Sequence, residues 1–436
     1  MTSTEQWRAT ARVVRRLGFG ATGAEVDAAV RAGLPAWLDR ALAPAPAADP
    51  GAAATPAPHI PLPSQVPAEA DRAAKKTERE RLHAEVEEAT IWWLRRMIAA
   101  ESPAREKVTF GWHDIFATSW HKVRSGALML RQNEAQRRLG LGDFRALALA
   151  MVTDPALLRW LDGQKSTAKA PNENLSREFM ELFALGHDGG YTERDVKEGA
   201  RALTGWVVRA DGTSALDPRR HDAGAKTVLD ASGPLGATEF VDAVLARPES
   251  ARFVARRWWH LLASPDDPAQ ATLARLTAAY GGSRDVAALI RAIVVDPAFA
   301  AAAGTLVVSP VEWYVGAARA LRVPPAKAAG AAAVKQLNAL GQVPFAPPSV
   351  GGWPAGQAWL STAAAGARYD IAGTLVASAD LAAVAAVPEP QRLDALAHTL
   401  GLAGFSARTQ RALAPHTAHP PALARLALVS PDYLVD

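Results

Sequence analysis

Alanine-rich segments that open on capping residues and close at proline or glycine follow one another along nearly the whole chain. Apolar positions within them recur at helical spacing, and long runs of alternating β-branched residues are missing, so the pattern predicts a mainly α protein. Thr22 and Glu25 form a capping box, Pro35 sits in a first helical turn, and Leu38 and Leu42 repeat four residues apart. A charged helix is predicted from about 69 to 100, and Ser102-Pro103 opens the next, running to about 123. Further helices are expected near 127–139, 143–162, 172–185, 193–204, 238–262, 268–280, 284–295, 309–321, 325–339, 356–385, 389–400, 407–414 and 420–428. The phrase Val152-Thr153-Asp154-Pro155-Ala156 returns as Val294-Val295-Asp296-Pro297-Ala298, with a weaker echo at Val429-Ser430-Pro431. It reads as a helix end followed by a proline-started helix.

Two stretches break the pattern. Residues 206–234 are turn-rich, with a short β-like run at Trp206-Val207-Val208, and read as an irregular insertion able to hold a hairpin. A loop of that length inside a helical body is more often functional than idle. Residues 341–354 have the same character. The organisation expected is N-terminal helices over 1–43, a Pro/Ala-rich linker over 44–68 that cannot hold a helix, and a main helical domain over 69–436, one large multi-helix body.

Composition narrows the function classes. The 436 residues contain no cysteine, so a disulfide framework, a thiolate metal site and a cysteine nucleophile are excluded. A net charge of +4 is mild over this length, and the arginine doublets are scattered, so no nucleic-acid stripe is expected. Residues 1–18 carry charge throughout and lack the apolar centre of a secretory peptide. The apolar stretch from Ile371 to Val387 contains Asp380 and falls short of the roughly 20 apolar residues of a membrane span. The chain therefore reads as soluble and cytoplasmic, without membrane insertion. Many of the 13 tryptophans, among them Trp92, Trp93, Trp112, Trp258 and Trp259, fall at apolar helical positions, which reads as packing.

Three polar clusters are candidates for chemistry. His113 lies at the edge of the arc formed by Val108, Trp112, Ile115, Phe116, Trp120 and Val123, as a core-rim residue or a group looking into a cleft. In 172–183, Leu175, Phe179, Leu182 and Phe183 face the core. Glu173, Arg177 and Glu181 align at i, i+4, i+8 beside Asn174 and Glu178. This is either a solvated ion-pair ladder or a carboxylate pair braced by arginine, half of a metal or acid/base site. The loop Arg219-Arg220-His221-Asp222-Ala223-Gly224-Ala225-Lys226-Thr227 is either a solvated turn or a place to hold an anion, and it fits no nucleotide-binding motif.

Several ordered phrases carry a resemblance. Trp112-His113-x-x-Phe116, Pro171-Asn172-Glu173-Asn174-x-x-Arg177-Glu178-x-x-Glu181-Leu182, Tyr191-Thr192-Glu193, Ala202-Leu203-Thr204-Gly205-Trp206, His221-Asp222-x-Gly224-x-Lys226-Thr227 and Gly352-Trp353-Pro354 closely resemble the bacterial domain-of-unknown-function family numbered 1800. The opening Arg15-Arg16-Leu17-Gly18-Phe19-Gly20 also fits, and only 44–68 lies outside the resemblance. The resemblance supplies no reaction, but implies a partner protein with an alkaline-phosphatase-like fold and co-export with it. This chain departs from the family pattern at Ile115, where a histidine is usual, and at Asp230, where a glycine is usual.

The leading expectation is an enzyme-like cleft built from His113, Asn172, Glu173, Asn174, Arg177, Glu178, Glu181, His221, Asp222 and Lys226, acting on an anionic small molecule or a glycan. His113, Glu178, Glu181 and His221 would ligate a divalent metal (Zn, Fe, Mn or Mg) or, with Asp222, exchange protons. Asn172, Glu173, Asn174, Arg177 and Lys226 would bind substrate. The alternatives are a non-catalytic scaffold for the alkaline-phosphatase-like partner, and a metal-free hydrolase or lyase using paired carboxylates.

Overall fold

The structure is a computed structural model and describes residues 3–43, 49–62 and 71–435. It is mainly α, 63% helical with only 4% strand. The local signals hold where capping alone decides. Thr22 and Glu25 close a reciprocal capping box on the helix Gly23–Ala32. The repeated Asp-Pro phrase starts helices at Pro155 and Pro297, with Asp154 and Asp296 accepting from the freed amides, and Ser430 sits at the same position before Pro431.

Several predicted helices are shorter than their hydrophobic patterns. The 102–123 segment splits into Ala104–Ile115 and Trp120–Val123. The gap forms because Trp120 N–H leaves the helical ladder and donates to the carbonyl of Phe345 at 3.0 Å. The 143–162 segment divides at Pro155, 238–262 at Pro248, and 325–339 at Gly330; 356–385 becomes a 3-10 turn and the helices Thr362–Val376 and Ala382–Ala385. At Pro155 and Pro248 the cause is a ring that cannot continue the preceding helix.

The 44–68 expectation needs correction over its described part. Asp49 caps a short helix, Pro50–Ala53, and Ile60 is buried among Trp92, Trp93 and their neighbours. Residues 44–48 and 63–68 lie outside the described residues. The 206–234 insertion holds two antiparallel hairpins, Trp206–Val208 with Ser214–Leu216 and Lys226–Val228 with Ala231–Gly233. The second was not legible, because its three-residue strands are short and one closes on Ser232-Gly233.

Two large apolar clusters form the interior. One gathers Trp112, Phe116, Phe144, Phe179, Phe183, Trp258 and Ile290; the other gathers Trp93, Phe110, Trp313, Phe345 and Leu423. The helix Ala104–Ile115 feeds both, Trp112 into the first and Phe110 into the second. The first helix and the turn after it also serve both, through Leu17 and Phe19. The candidate site lies on the helix Ala104–Ile115, where Lys107 and Asp114 stand at the wall of a cavity. No helix among the described residues is long and apolar enough to cross a membrane.

Candidate functional site

Adjacent residues on Ala104–Ile115 point about 100° apart, and His113 and Asp114 meet different surroundings. His113 is 1% exposed and walled by Trp93, Phe345 and Trp353, with ring centres 5.3–5.5 Å away. Its Nε2 accepts the backbone N–H of Phe345 at 2.9 Å, which assigns the ring proton to Nδ1. Burial drives its pKa down to about 3, so the imidazole is neutral and its acceptor is in use. His113 is a core residue.

Asp114 stands at the cavity wall. Its Oδ1 accepts Trp353 N–H at 3.0 Å, and Oδ2 lies 3.8 Å from Arg257 Nη2. Burial pushes this carboxyl up, against the pull of Arg257 and the Trp353 amide. Gly352 makes the approach possible. It has φ +87°, and a Cβ there would lie 2.5 Å from Asp114 Oδ1. The Trp-His-Asp and Gly-Trp-Pro phrases, far apart in sequence, therefore meet at one carboxyl group.

Beside Asp114 lies a cavity of about 80 Å³. Lys107, Phe110, Gly111 and Asp114 line it from one helical face, at i, i+3, i+4 and i+7. Gly111 leaves room for the indole of Trp258, which a Cβ would approach to 2.8 Å. Across the cavity Glu312 forms an ion pair with Lys107, and its Oε2 accepts Ser309 N–H at 3.1 Å. Gln342 Oε1 accepts Val311 N–H at 2.9 Å, fixing the amide's orientation. His260 stands at the wall with Nε2 3.0 Å from Asp267, and burial lowers its pKa despite that carboxylate. Trp258, Trp353 and Trp359 complete the apolar lining. The arrangement offers a carboxyl biased towards its protonated form, a carboxylate held by an ammonium, and aromatic walls.

The acidic helix is built differently. Asn174–Glu178 runs into a π-helical turn, Phe179–Ala184. Arg177 binds Glu193 at 2.7 Å and Glu173 at 3.0 Å on an open face, the ladder that the spacing allows. Asn172 Oδ1 accepts Asn174 N–H at 2.9 Å, a local turn. Burial and the neighbouring Glu181 charge raise the Glu178 carboxyl. Glu181 sits 3.1 Å from exposed His187 and helps hold the Tyr191 hydroxyl up at about 12, chiefly an effect of burial.

The basic loop is strapped to the far end of the helix Glu193–Ala202. Arg201 grips Asp222 at 2.7 Å and Glu198 at 2.8 Å, and holds the Asp222 carboxyl below its usual range. Lys226 is buried and donates to the carbonyls of Asp222 and Gly224. His221 Nδ1 lies 3.0 Å from the Thr204 carbonyl. Gly205, at φ +89°, lets this loop close, since a Cβ would stand 2.9 Å from the His221 backbone.

The ten residues named from the sequence thus occupy three separate places. Glu178 and Glu181 are neighbours, as are His221, Asp222 and Lys226, but His113 is enclosed in aromatic core. Among the described residues no group of three or more His, Asp or Glu is placed to hold a metal ion. His113 is held apart from Glu178, Glu181 and His221 as a ligand because its Nε2 already accepts Phe345 N–H, whereas His221 contacts the backbone through Nδ1 alone. The sequence reading missed Lys107, Asp114, His260, Glu312 and Gln342. The spacing of Lys107, Gly111 and Asp114 was the available signal.

A family model described as "Protein of unknown function (DUF1800)" matches residues 12–435, taking in every phrase that meets at Asp114 and at the basic loop. The chain belongs to this family. Comparison with curated proteins returns no match, and comparison with solved structures returns none. The Gly-Trp-Pro and Trp-His phrases both lie within the matched residues, and the geometry gives them a physical role, which is to bring Asp114 against Trp353.

Proposed function

We propose that the Asp114 cavity is an acid–base active site of hydrolase or lyase type, acting on a hydroxyl-rich, glycan-like substrate. Asp114 is the proton donor. Its carboxyl is raised by burial and oriented by Trp353 N–H, so it keeps a proton nearer neutral pH than an exposed aspartate. Glu312, ion-paired with Lys107, is the carboxylate that stabilises developing positive charge or takes a proton. Trp258, Trp353 and Trp359 supply the flat apolar faces against which a sugar ring packs, while Gln342 and His260 supply polar edges. The observation that carries this reading is the placement of two carboxyl groups in contrasting surroundings at the wall of one cavity.

The test is a panel of oligosaccharides incubated with the purified protein, reading new reducing ends and unsaturated products, with binding measured by calorimetry. Asp114→Asn is expected to bind a substrate while losing at least about 100-fold in turnover, the usual span for a general acid. Full turnover in Asp114→Asn, or neither binding nor turnover across the panel by wild type, overturns the reading.

A further inference from the structure

Arg368, on the helix Thr362–Val376, is 1% exposed. Its Nη1 donates to the Trp359 carbonyl at 2.7 Å, and the guanidinium carbon lies 5.8 Å from the centre of the Trp313 ring. Nε and Nη2 are enclosed and have no hydrogen-bond partner among the described residues. Two other buried arginines are neutralised: Arg137 binds Glu106 at 2.7 Å, and Arg319 binds Glu25 at 2.6 Å. At Arg368 burial acts alone, with no carboxylate among the described residues offsetting it.

A guanidinium does not shed its proton in a protein, so the positive charge persists in the interior. Enclosing an ion without a counter-charge is strongly unfavourable, and each idle buried donor adds to that. Nε and Nη2 share one edge of the planar group. That edge presents two parallel N–H bonds, the pattern that grips a carboxylate, sulfate or phosphate through two oxygens.

We propose that the Nε–Nη2 edge of Arg368 is the floor of a buried oxyanion site, with Nη1 anchored on the Trp359 carbonyl and the Trp313 ring beside the guanidinium. The ligand class is a compact anion with two coplanar or near-coplanar oxygens. It neutralises Arg368 and fixes Trp359, which also lines the Asp114 cavity. The inference does not depend on the reaction proposed at Asp114, and its test reads no turnover.

Thermal unfolding is measured at constant ionic strength in chloride and with formate, sulfate or inorganic phosphate added. In wild type the midpoint is expected to rise saturably by a few degrees with at least one oxyanion, and not with chloride. In Arg368→Met that rise is lost. Crystals grown in selenate are expected to show a selenium anomalous peak within hydrogen-bonding reach of Nε and Nη2. Should Arg368→Met fail to fold, wild type decides: a selenate peak at Nε and Nη2, or a saturable midpoint rise with formate, upholds the proposal. Two ordered waters with no peak, together with a midpoint indifferent to anion identity, overturn the proposal; formate without sulfate or phosphate identifies an organic carboxylate as the occupant.

Discussion

Trp353 donates its backbone N–H to Asp114 Oδ1 at 3.0 Å while its ring stacks on Phe110, whose centre lies 5.8 Å away. One residue therefore orients the acid and seals the core beside it. His113 meets the same Trp353 ring at 5.3 Å, edge to face. The two neighbours on the helix are fixed by one tryptophan, one in an apolar wall and the other at a cavity.

Gly352→Ala is expected to destabilise the fold by about 2 kcal/mol or more, through a left-handed backbone forced on an L residue and a steric conflict with Asp114. Gly352 has φ +87°, and the added Cβ would meet both Asp114 Oδ1 and, at 2.7 Å, the Asp114 carbonyl. Urea unfolding measures the loss. Gly351→Ala serves as a control, since its nearest contact would be Ser349 Oγ at 3.6 Å.

His113 makes stability depend on pH in mild acid. Its folded pKa, about 3, lies below the ordinary 6.5, so the unfolded chain binds the extra proton between those values. Stability from this residue is full above 6.5 and falls as pH drops, by roughly 1.4 kcal/mol per pH unit. His113→Asn removes the slope, which thermal unfolding between pH 4 and 7 detects. Imidazole resonances of wild type should show His113 untitrated above pH 5 in the Nδ1–H form.

Glu106→Gln is expected to cost about 3 kcal/mol, because it strips the buried charge partner from Arg137 and leaves only the half-exposed Glu134 at 2.7 Å. Glu106 also accepts from Arg96 at 2.7 Å and from Trp93 Nε1 at 2.9 Å. Burial raises its carboxyl, but Arg137 and Arg96 outweigh burial and the net pKa falls below 4.5. Its contribution is thus present above 4.5 and fades as pH falls through the lower folded value. Acid unfolding of wild type and Glu106→Gln, compared with denaturant curves, checks both statements.

Arg201→Gln should loosen the 217–226 loop without unfolding the protein. The Arg201 pairs are partly exposed, so the global loss is expected to stay near or below about 1 kcal/mol. Local opening frees the backbone around the exposed Arg219 and half-buried Arg220, and trypsin should cut there several-fold faster than in wild type. Unchanged cleavage would mean that Lys226 and its carbonyls hold the loop without Arg201.

Capping and proline chemistry made the helical class readable, since Thr22, Asp154 and Asp296 act on amides within three residues of themselves. The ladder of Glu173 and Arg177 was readable for the same reason. The break after Ile115 was not, because its cause is the Phe345 carbonyl, more than 200 residues away. The π-turn at Phe179–Ala184 was likewise hidden in a helix-compatible pattern.

The sequence by itself determined the helical class, most helix starts and the absence of thiol chemistry, because these depend on composition and on contacts within a turn or two. Tertiary structure alone decided that Asp114, and not His113, faces the cavity, and that Glu312, Gln342 and Trp353 stand opposite it. Residues one position apart differ by about 100° on a helix, and periodicity cannot tell which side a second core will cover. Only the packing of 310–360 against 104–115 settles that choice.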